Sequence, residues 1–296
     1  MEQTLRPISI HYVRNALPAR REDGHKGTFG KLLIVGGSVG CTGAPYLAAE
    51  AAVRSGCGLV YLGVPESIWA VEAVKCASAM PFPLPDAGGK LRAEACDAIH
   101  ARLSACDVLA LGPGLGRSAE LDTLVRRLLR ECPLPLVLDA DGLNAIAEDL
   151  SALDAREGRV TILTPHDGEF ARLSGYTIEE LSGKHRAEIA REFAGQHGCV
   201  LVLKGHRTIV ASPDGTLRVN TTGGSALSKG GSGDVLTGVI AALLCQGAGA
   251  AEAARCGVWL HGRAGDALTE EMSAYCVSPQ DVATQGLAKA FLEVTG

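Results

Sequence analysis

Short runs of valine, leucine and isoleucine recur along the chain, most of them ending in glycine, proline or aspartate, and between them lie longer stretches whose apolar residues fall three or four apart. The first pattern predicts strands over KLLIVGG (31–37), GLVYLGV (58–64), DVLALGPG (107–114), LPLVLDAD (134–141), VTILTP (160–165) and CVLVLKG (199–205). The second predicts helices over APYLAAEAAVRSG (44–56), SAELDTLVRRLLREC (118–132) and HRAEIAREFAGQH (185–197), with others starting near Val235, Ala250 and Ser278. RTIVASPDGTLRVN (207–220), with PDG at its turn, reads as a hairpin. Strands that are apolar on both faces and separated by helices imply a mostly parallel α/β sheet covered on two sides, to which the hairpin adds an antiparallel edge. Loops leaving the carboxyl ends of parallel strands gather along one edge, and most of the unusual residues fall on such loops.

The length, 296 residues, suits one domain over 1–296. Net charge is -5 from 28 basic and 33 acidic residues, with no long basic run, which argues against a nucleic-acid or anionic-membrane surface. The first twenty or so residues carry charge throughout without a signal-type apolar core, and Val235 to Cys245 is too short to span a bilayer. A cytoplasmic protein is expected. The ten cysteines are scattered, with no C-x-x-C, and read as small core residues in a reducing compartment; no H-E-x-x-H supports zinc.

Chemistry concentrates at the strand ends. SKGGSGDVLTG (228–238) sets glycines around Ser232 and then Asp234 before an apolar helix. Unpaired amides from Gly231 to Asp234 at a helix start suit a phosphoryl group, and Gly233 leaves backbone bare there. The positive helix end is expected to keep Asp234 ionised, ready to take a proton from an attacking hydroxyl. In LKGHRT, Lys204 and the following Gly205, His206, Arg207 and Thr208 suit nucleotide phosphates; an exposed turn lysine is the plainer alternative. GGSVGCTGAP (36–45) exposes backbone before a helix start at Ala44, without being a Rossmann or a Walker loop, and GPGLG supplies Gly114 and Gly116. In LTPHDGE, Thr164 as N-cap, Pro165 and Asp167 account for a helix start and leave His166 and Glu169 pointing to one side. Asp139, Asp141 and Asn144 either hold magnesium through water or cap a helix.

Taken in order, HKGTFGKLLIVGGS, GAPYLAAEAAVRSGCGLV, LGPGLG, LDADGLN, LTPHDGE, LVLKGHRTIV, NTTGGSALSKGGSGDVLTG and WLHGRAGD resemble the ADP- or ATP-dependent NAD(P)H-hydrate dehydratases of the ribokinase-like superfamily, from about Leu17 to the C-terminus. One departure is Gly224, where the family pattern has asparagine. The resemblance implies a three-layer ribokinase-like sandwich. It implies a lyase that phosphorylates hydrated NADH or NADPH on its ring hydroxyl and then expels phosphate, with ADP (or ATP) as co-substrate and Mg2+ at the phosphates. It assigns Ala44, Gly114 or Gly116, His166 and Asp234 to the hydrated dinucleotide, and Lys204 to Thr208 with Gly233 to the nucleotide; Gly231, Gly233 and Asp234 carry the catalysis, and Glu169 matches an acidic position near the metal. It further implies a separate NAD(P)H-hydrate epimerase in the pathway and a homo-oligomer, a homotetramer by family habit. The rival readings are a small-molecule kinase of the same fold, of hydroxyethylthiazole or hydroxymethylpyrimidine type, and a catalytically silent nucleotide sensor.

Overall fold

The structure is a computed structural model that describes residues 5–182 and 185–296, without the Ser182 side chain. Its main sheet has ten strands: β1 (Arg6–Pro7), β2 (Lys31–Val35), β3 (Leu59–Pro65), β4 (Met80–Leu84), β7 (Val108–Leu111), β8 (Leu136–Leu138), β9 (Thr161–Leu163), β10 (Val200–Leu203), β11 (Ile209–Ala211) and β12 (Leu217–Val219). The numbers β5 (Asp86–Ala87) and β6 (Lys90–Leu91) belong to a separate small hairpin. Spatial order is β1-β12-β11-β10-β9-β8-β7-β2-β3-β4; the seven strands from β10 to β4 in that order run parallel, β10-β11-β12 pair antiparallel, and β1 lies at the edge, parallel to β12. All six single strands and the hairpin read from the apolar pattern are present. β1 and β4 were not legible: β1 is two residues long, and Pro81 and Pro83 interrupt β4, which survives as an outer strand where a missing N–H is tolerated.

Alternation along the strands divides the core in two. Leu32, Ile34, Val60, Leu62, Val108 and Val202 face one layer of helices, while Leu33, Val35, Leu109, Leu111, Leu201 and Leu203 face the other. On the first face lies the Ser232–Cys245 helix, apolar all round because it sits between the sheet and the helices Gly43–Arg54 and Ala250–Thr269. None of the described helices is long and apolar enough to cross a membrane.

Close packing of that helix fixes where its first turn stands. A Cβ on Gly238 would lie 2.1 Å from the Ala48 carbonyl oxygen, a backbone atom that cannot swing aside. Gly238→Ala therefore loses stability although alanine is the better helix former: about 1 kcal/mol of propensity is gained against a larger overpacking cost, for a net loss of about 2 kcal/mol. A drop in the urea midpoint with unchanged slope checks this; an unchanged midpoint contradicts it.

Candidate active site

Loops from β8, β9, β10 and β12 and the start of the Ser232–Cys245 helix enclose a cavity of about 670 Å³. Of the residues singled out in the sequence, it is lined by His166, Lys204, Gly205, His206, Arg207, Thr208, Gly231, Gly233 and Asp234, with Asp139. Two non-glycine residues among those described have positive φ, Ala140 (50°) and Arg207 (62°), and both line this cavity. Backbone in sparsely populated conformations gathers at functional sites.

The floor is built on Asp139, which leaves β8 1% exposed. Lys204 Nζ donates to its Oδ1 at 2.8 Å and Thr237 Oγ1 donates to its Oδ2 at 2.6 Å. Lys204 thus arrives from β10 already paired, not in the exposed turn of the plainer alternative. Burial pulls its ammonium down, but Asp139, Glu169 and Asp234 outweigh that and its pKa is raised overall, so it stays a cation. Arg186 holds the turn from behind, donating to the Lys204 carbonyl at 2.9 Å and pairing with Asp167.

Asp234 stands in the first turn of the Ser232–Cys245 helix. Contrary to the expected full ionisation, its pKa is pushed up to about 7, chiefly by burial and then by the Asp139 charge, with Lys204 opposing and Asp141 and Glu169 adding to the rise. The helix end offers less than one unit of positive charge, and desolvation beside further carboxylates exceeds it. A Cβ on Gly233 would stand 3.2 Å from Lys204 Nζ, so the bare backbone lets the loop reach the lysine.

The start of the Asp167–Ser174 helix differs from its sequence reading. The N-cap is His166, not Thr164: its Nδ1 accepts from the Gly168 and Glu169 amides at 3.0 and 3.3 Å, and Glu169 Oε2 accepts from the His166 amide at 2.8 Å. Thr164 is buried against the Leu138 carbonyl, and Asp167 is the partner of Arg186. The two residues that the cap reading left unexplained are themselves a capping box. The His166 ring is still half-exposed at the cavity, while Glu169 is buried 3.8 Å from Lys204 Nζ, behind the lining.

Ala44, Gly114 and Gly116 form a neighbouring group outside this lining. A Cβ on Gly114 would lie 2.9 Å from that of Ala44, Ser38 Oγ donates to the Gly114 carbonyl at 2.8 Å, and the Gly116 amide donates to Asp141 Oδ2 at 2.8 Å. Asp141 thereby couples this group to Asp139 and Ala140, two residues that line the cavity. A second, more open cavity of about 440 Å³, lined by Gly43, Tyr46, Lys75, Gly230 and Gln280 among others, lies next to the anion loop and shares Gly230 with the first. Asn144 accepts from Arg172 Nε at 2.9 Å and donates to Asp141 Oδ1 at 3.3 Å, while Asp139 turns to Lys204 and Thr237. Among the described residues, the one cluster of Cys, His, Asp and Glu atoms compact enough for a metal is Cys96, His100 and Glu131, and none of these lines the cavity.

Sequence reasoning missed Arg186, Thr237, Lys229 and His261. Lys229 Nζ donates to the carbonyls of Ala274, Tyr275 and Val277, which ties the anion loop to the 274–277 segment. An isolated arginine, threonine or lysine gives no pattern to read; WLHGRAGD was noted without a role for its histidine.

A family described as NAD(P)H-hydrate dehydratase matches residues 32–286. The bifunctional NAD(P)H-hydrate repair enzyme Nnr of Moorella thermoacetica is 45% identical over 88% of this chain and 49% of its own length, so the chain spans about half of that relative. The ADP-dependent (S)-NAD(P)H-hydrate dehydratase of Neisseria meningitidis is 41% identical over 85% of this chain and 81% of its own. Among solved structures, the ADP/ATP-dependent NAD(P)H-hydrate dehydratase of Bacillus subtilis, co-crystallised with ATP/Mg2+, superposes with a TM-score of 0.84 at 32% identity, covering 99% of each chain. With its ribokinase-like mixed sheet and this order of strand-end loops, the chain belongs to the NAD(P)H-hydrate dehydratase family.

Proposed function

We propose that the chain, acting as one domain over 1–296 in the cytoplasm, is an ADP-dependent (S)-NAD(P)H-hydrate dehydratase. The observation that carries this is the placing of the Asp234 carboxyl beside glycine-rich amides and a lysine paired with Asp139 in one cavity. The nucleotide occupies the cavity with its phosphates against Lys204 to Thr208 and Gly233. Hydrated NADH or NADPH approaches past Ala44, Gly114, Gly116 and His166, where glycine backbone leaves room for a large ligand. Asp234 takes the proton of the ring hydroxyl as its oxygen attacks the terminal phosphorus, and the Gly231–Asp234 amides hold the charge on the phosphoryl oxygens. AMP leaves, the C–O bond to the new phosphate breaks, and loss of the neighbouring C–H proton restores the dihydronicotinamide double bond. Phosphate departs where hydroxide does not.

The donor set fits a divalent cation carried by the nucleotide. Asp139, Asp141 and Glu169 all act on Asp234 with Lys204 as the opposing cation, and this surplus of negative charge suits a metal that keeps its waters and phosphate ligands. When bound, Mg2+ would neutralise phosphate charge, with Asp141 and Glu169 adding negative charge from behind the cavity lining. An NAD(P)H-hydrate epimerase supplies the (S) form, and the subunits form a homo-oligomer.

Purified protein given hydrated NADH, Mg2+ and ADP or ATP is expected to regenerate the dihydronicotinamide absorbance, faster with ADP. A stable phosphorylated alcohol from another substrate instead would make it a kinase, and nucleotide binding without turnover a sensor. Because kcat/KM follows the free enzyme, its profile is expected to rise with pH through a midpoint of about 7, as Asp234 loses its proton. A flat profile between about pH 5.5 and 8.5 removes Asp234 as the base.

A further inference from the structure

The Ala250–Thr269 helix passes the cavity with small residues against neighbouring backbone: a Cβ on Gly262 would stand 2.2 Å from Thr222 Oγ1, and one on Gly265 2.9 Å from Leu227. This close approach brings His261 into the cavity lining, buried at 8% exposure. Its Nε2 is out of water and has no hydrogen-bond partner. The backbone of Ser232, the first residue of the Ser232–Cys245 helix, faces the same ring, and Ser232 Oγ is also buried without a partner. Buried polar atoms left single cost about 1–3 kcal/mol each. Two of them, on adjoining residues under the loop that carries Gly231, Gly233 and Asp234, call for a reason.

We propose that His261 is a positioning residue for the anion loop, and that the Ser232 hydroxyl donates to His261 Nε2 when a nucleotide draws this loop closed. The inference rests on the loop being the phosphoryl site proposed above. A neutral imidazole offers one N–H and one lone pair. The proposed bond takes Nε2, which is unpartnered, as the lone-pair acceptor and leaves the N–H on Nδ1. Burial, and then the Lys204 charge, pull the ring down to about 4, so it remains neutral at pH 7 and brings no charge to compete with Asp234. Gly230 and Gly231 precede Ser232, the latter at φ 104°, a backbone conformation that favours glycine. Closing the bond fixes the serine rotamer and with it the direction of the amides at 232–234. His261 itself touches no reacting atom.

The test compares wild type with H261F, H261N and S232A by amide hydrogen exchange across 229–234, with and without ADP, together with steady-state kinetics. In wild type, ADP slows exchange there about tenfold, the scale of one net hydrogen bond. In H261F this protection is lost while KM for ADP stays within about threefold and kcat falls about 30-fold, as expected for misplaced rather than missing donors. H261N, which keeps a neutral donor and acceptor, recovers most of both; S232A behaves as H261F, and the double variant is no worse than either. Wild-type protection and kcat in H261F, equal damage in H261N, or no ADP response in wild type overturns the proposal. Should H261F fail to fold, normal protection in S232A does so alone. Absence of turnover in wild type defeats the dehydratase reading but not this one, because the exchange response to ADP is read without turnover.

Discussion

Asp234→Asn is expected to lower turnover by about three to four orders of magnitude while nucleotide affinity stays within a few-fold of wild type. Asparagine fills the same space and accepts no proton, so the loop amides still bind phosphate while the attacking hydroxyl loses its base. The same change stabilises the fold at alkaline pH. The Asp234 carboxyl, raised to about 7 from 3.8, binds its proton more tightly folded than unfolded. Its contribution to stability is therefore fully present below the unfolded value and is lost as pH rises through about 7. Asparagine carries no such penalty, so the gain in thermal midpoint over wild type is small near pH 4 and reaches its full size by about pH 8. Stopped assays and thermal melts at both pH values check the two halves. Near-normal rates would remove Asp234 from the chemistry, and a pH-independent difference in midpoint would show that its carboxyl is not perturbed in the folded state.

Legibility in the sequence followed the range of the signal. Apolar runs such as LLIV at 32–35 and VLVL at 200–203 encode buried parallel strands locally, and the glycines of GGSGD mark a bare helix start without knowledge of the partners. The cap at His166 was misread because Thr-Pro is an ordinary N-cap and first-turn pair, whereas the choice was made by β9, whose end turns Thr164 inward to the Leu138 carbonyl. The state of Asp234 was misjudged for a related reason. The helix end is visible in the sequence, whereas burial and the approach of Asp139, 95 positions earlier in the numbering, exist only after folding. Thr237 and Arg186 belong to the same class: each is an ordinary residue until tertiary structure sets it against Asp139 or the Lys204 carbonyl.

Lys204→Met tests that folded-state electrostatics directly. Methionine approximates the length of the lysine stem and removes the ammonium that pairs with Asp139 at 2.8 Å and lies 3.8 Å from Glu169. Asp139 keeps Thr237 as a donor but becomes a buried carboxylate without a counter-charge, which costs about 3 kcal/mol of stability. For the reaction, kcat/KM for the nucleotide is expected to fall about a thousandfold through loss of the phosphate's point-charge partner. The direction of the pH effect separates this role from simple binding. Lys204 is the group that holds Asp234 down against burial and three carboxylates, so without it the Asp234 pKa climbs further and the acid limb of the kcat/KM profile moves to higher pH. Lys204→Arg sharpens the distinction. It restores the charge, and with it the position of the limb, but its fork is broader than an ammonium and the bare Cα of Gly233 leaves only the 3.2 Å between a would-be Cβ and Nζ. Arginine therefore recovers the pH profile and not the nucleotide affinity; recovery of both would show that charge alone, without the close fit to the glycine loop, suffices.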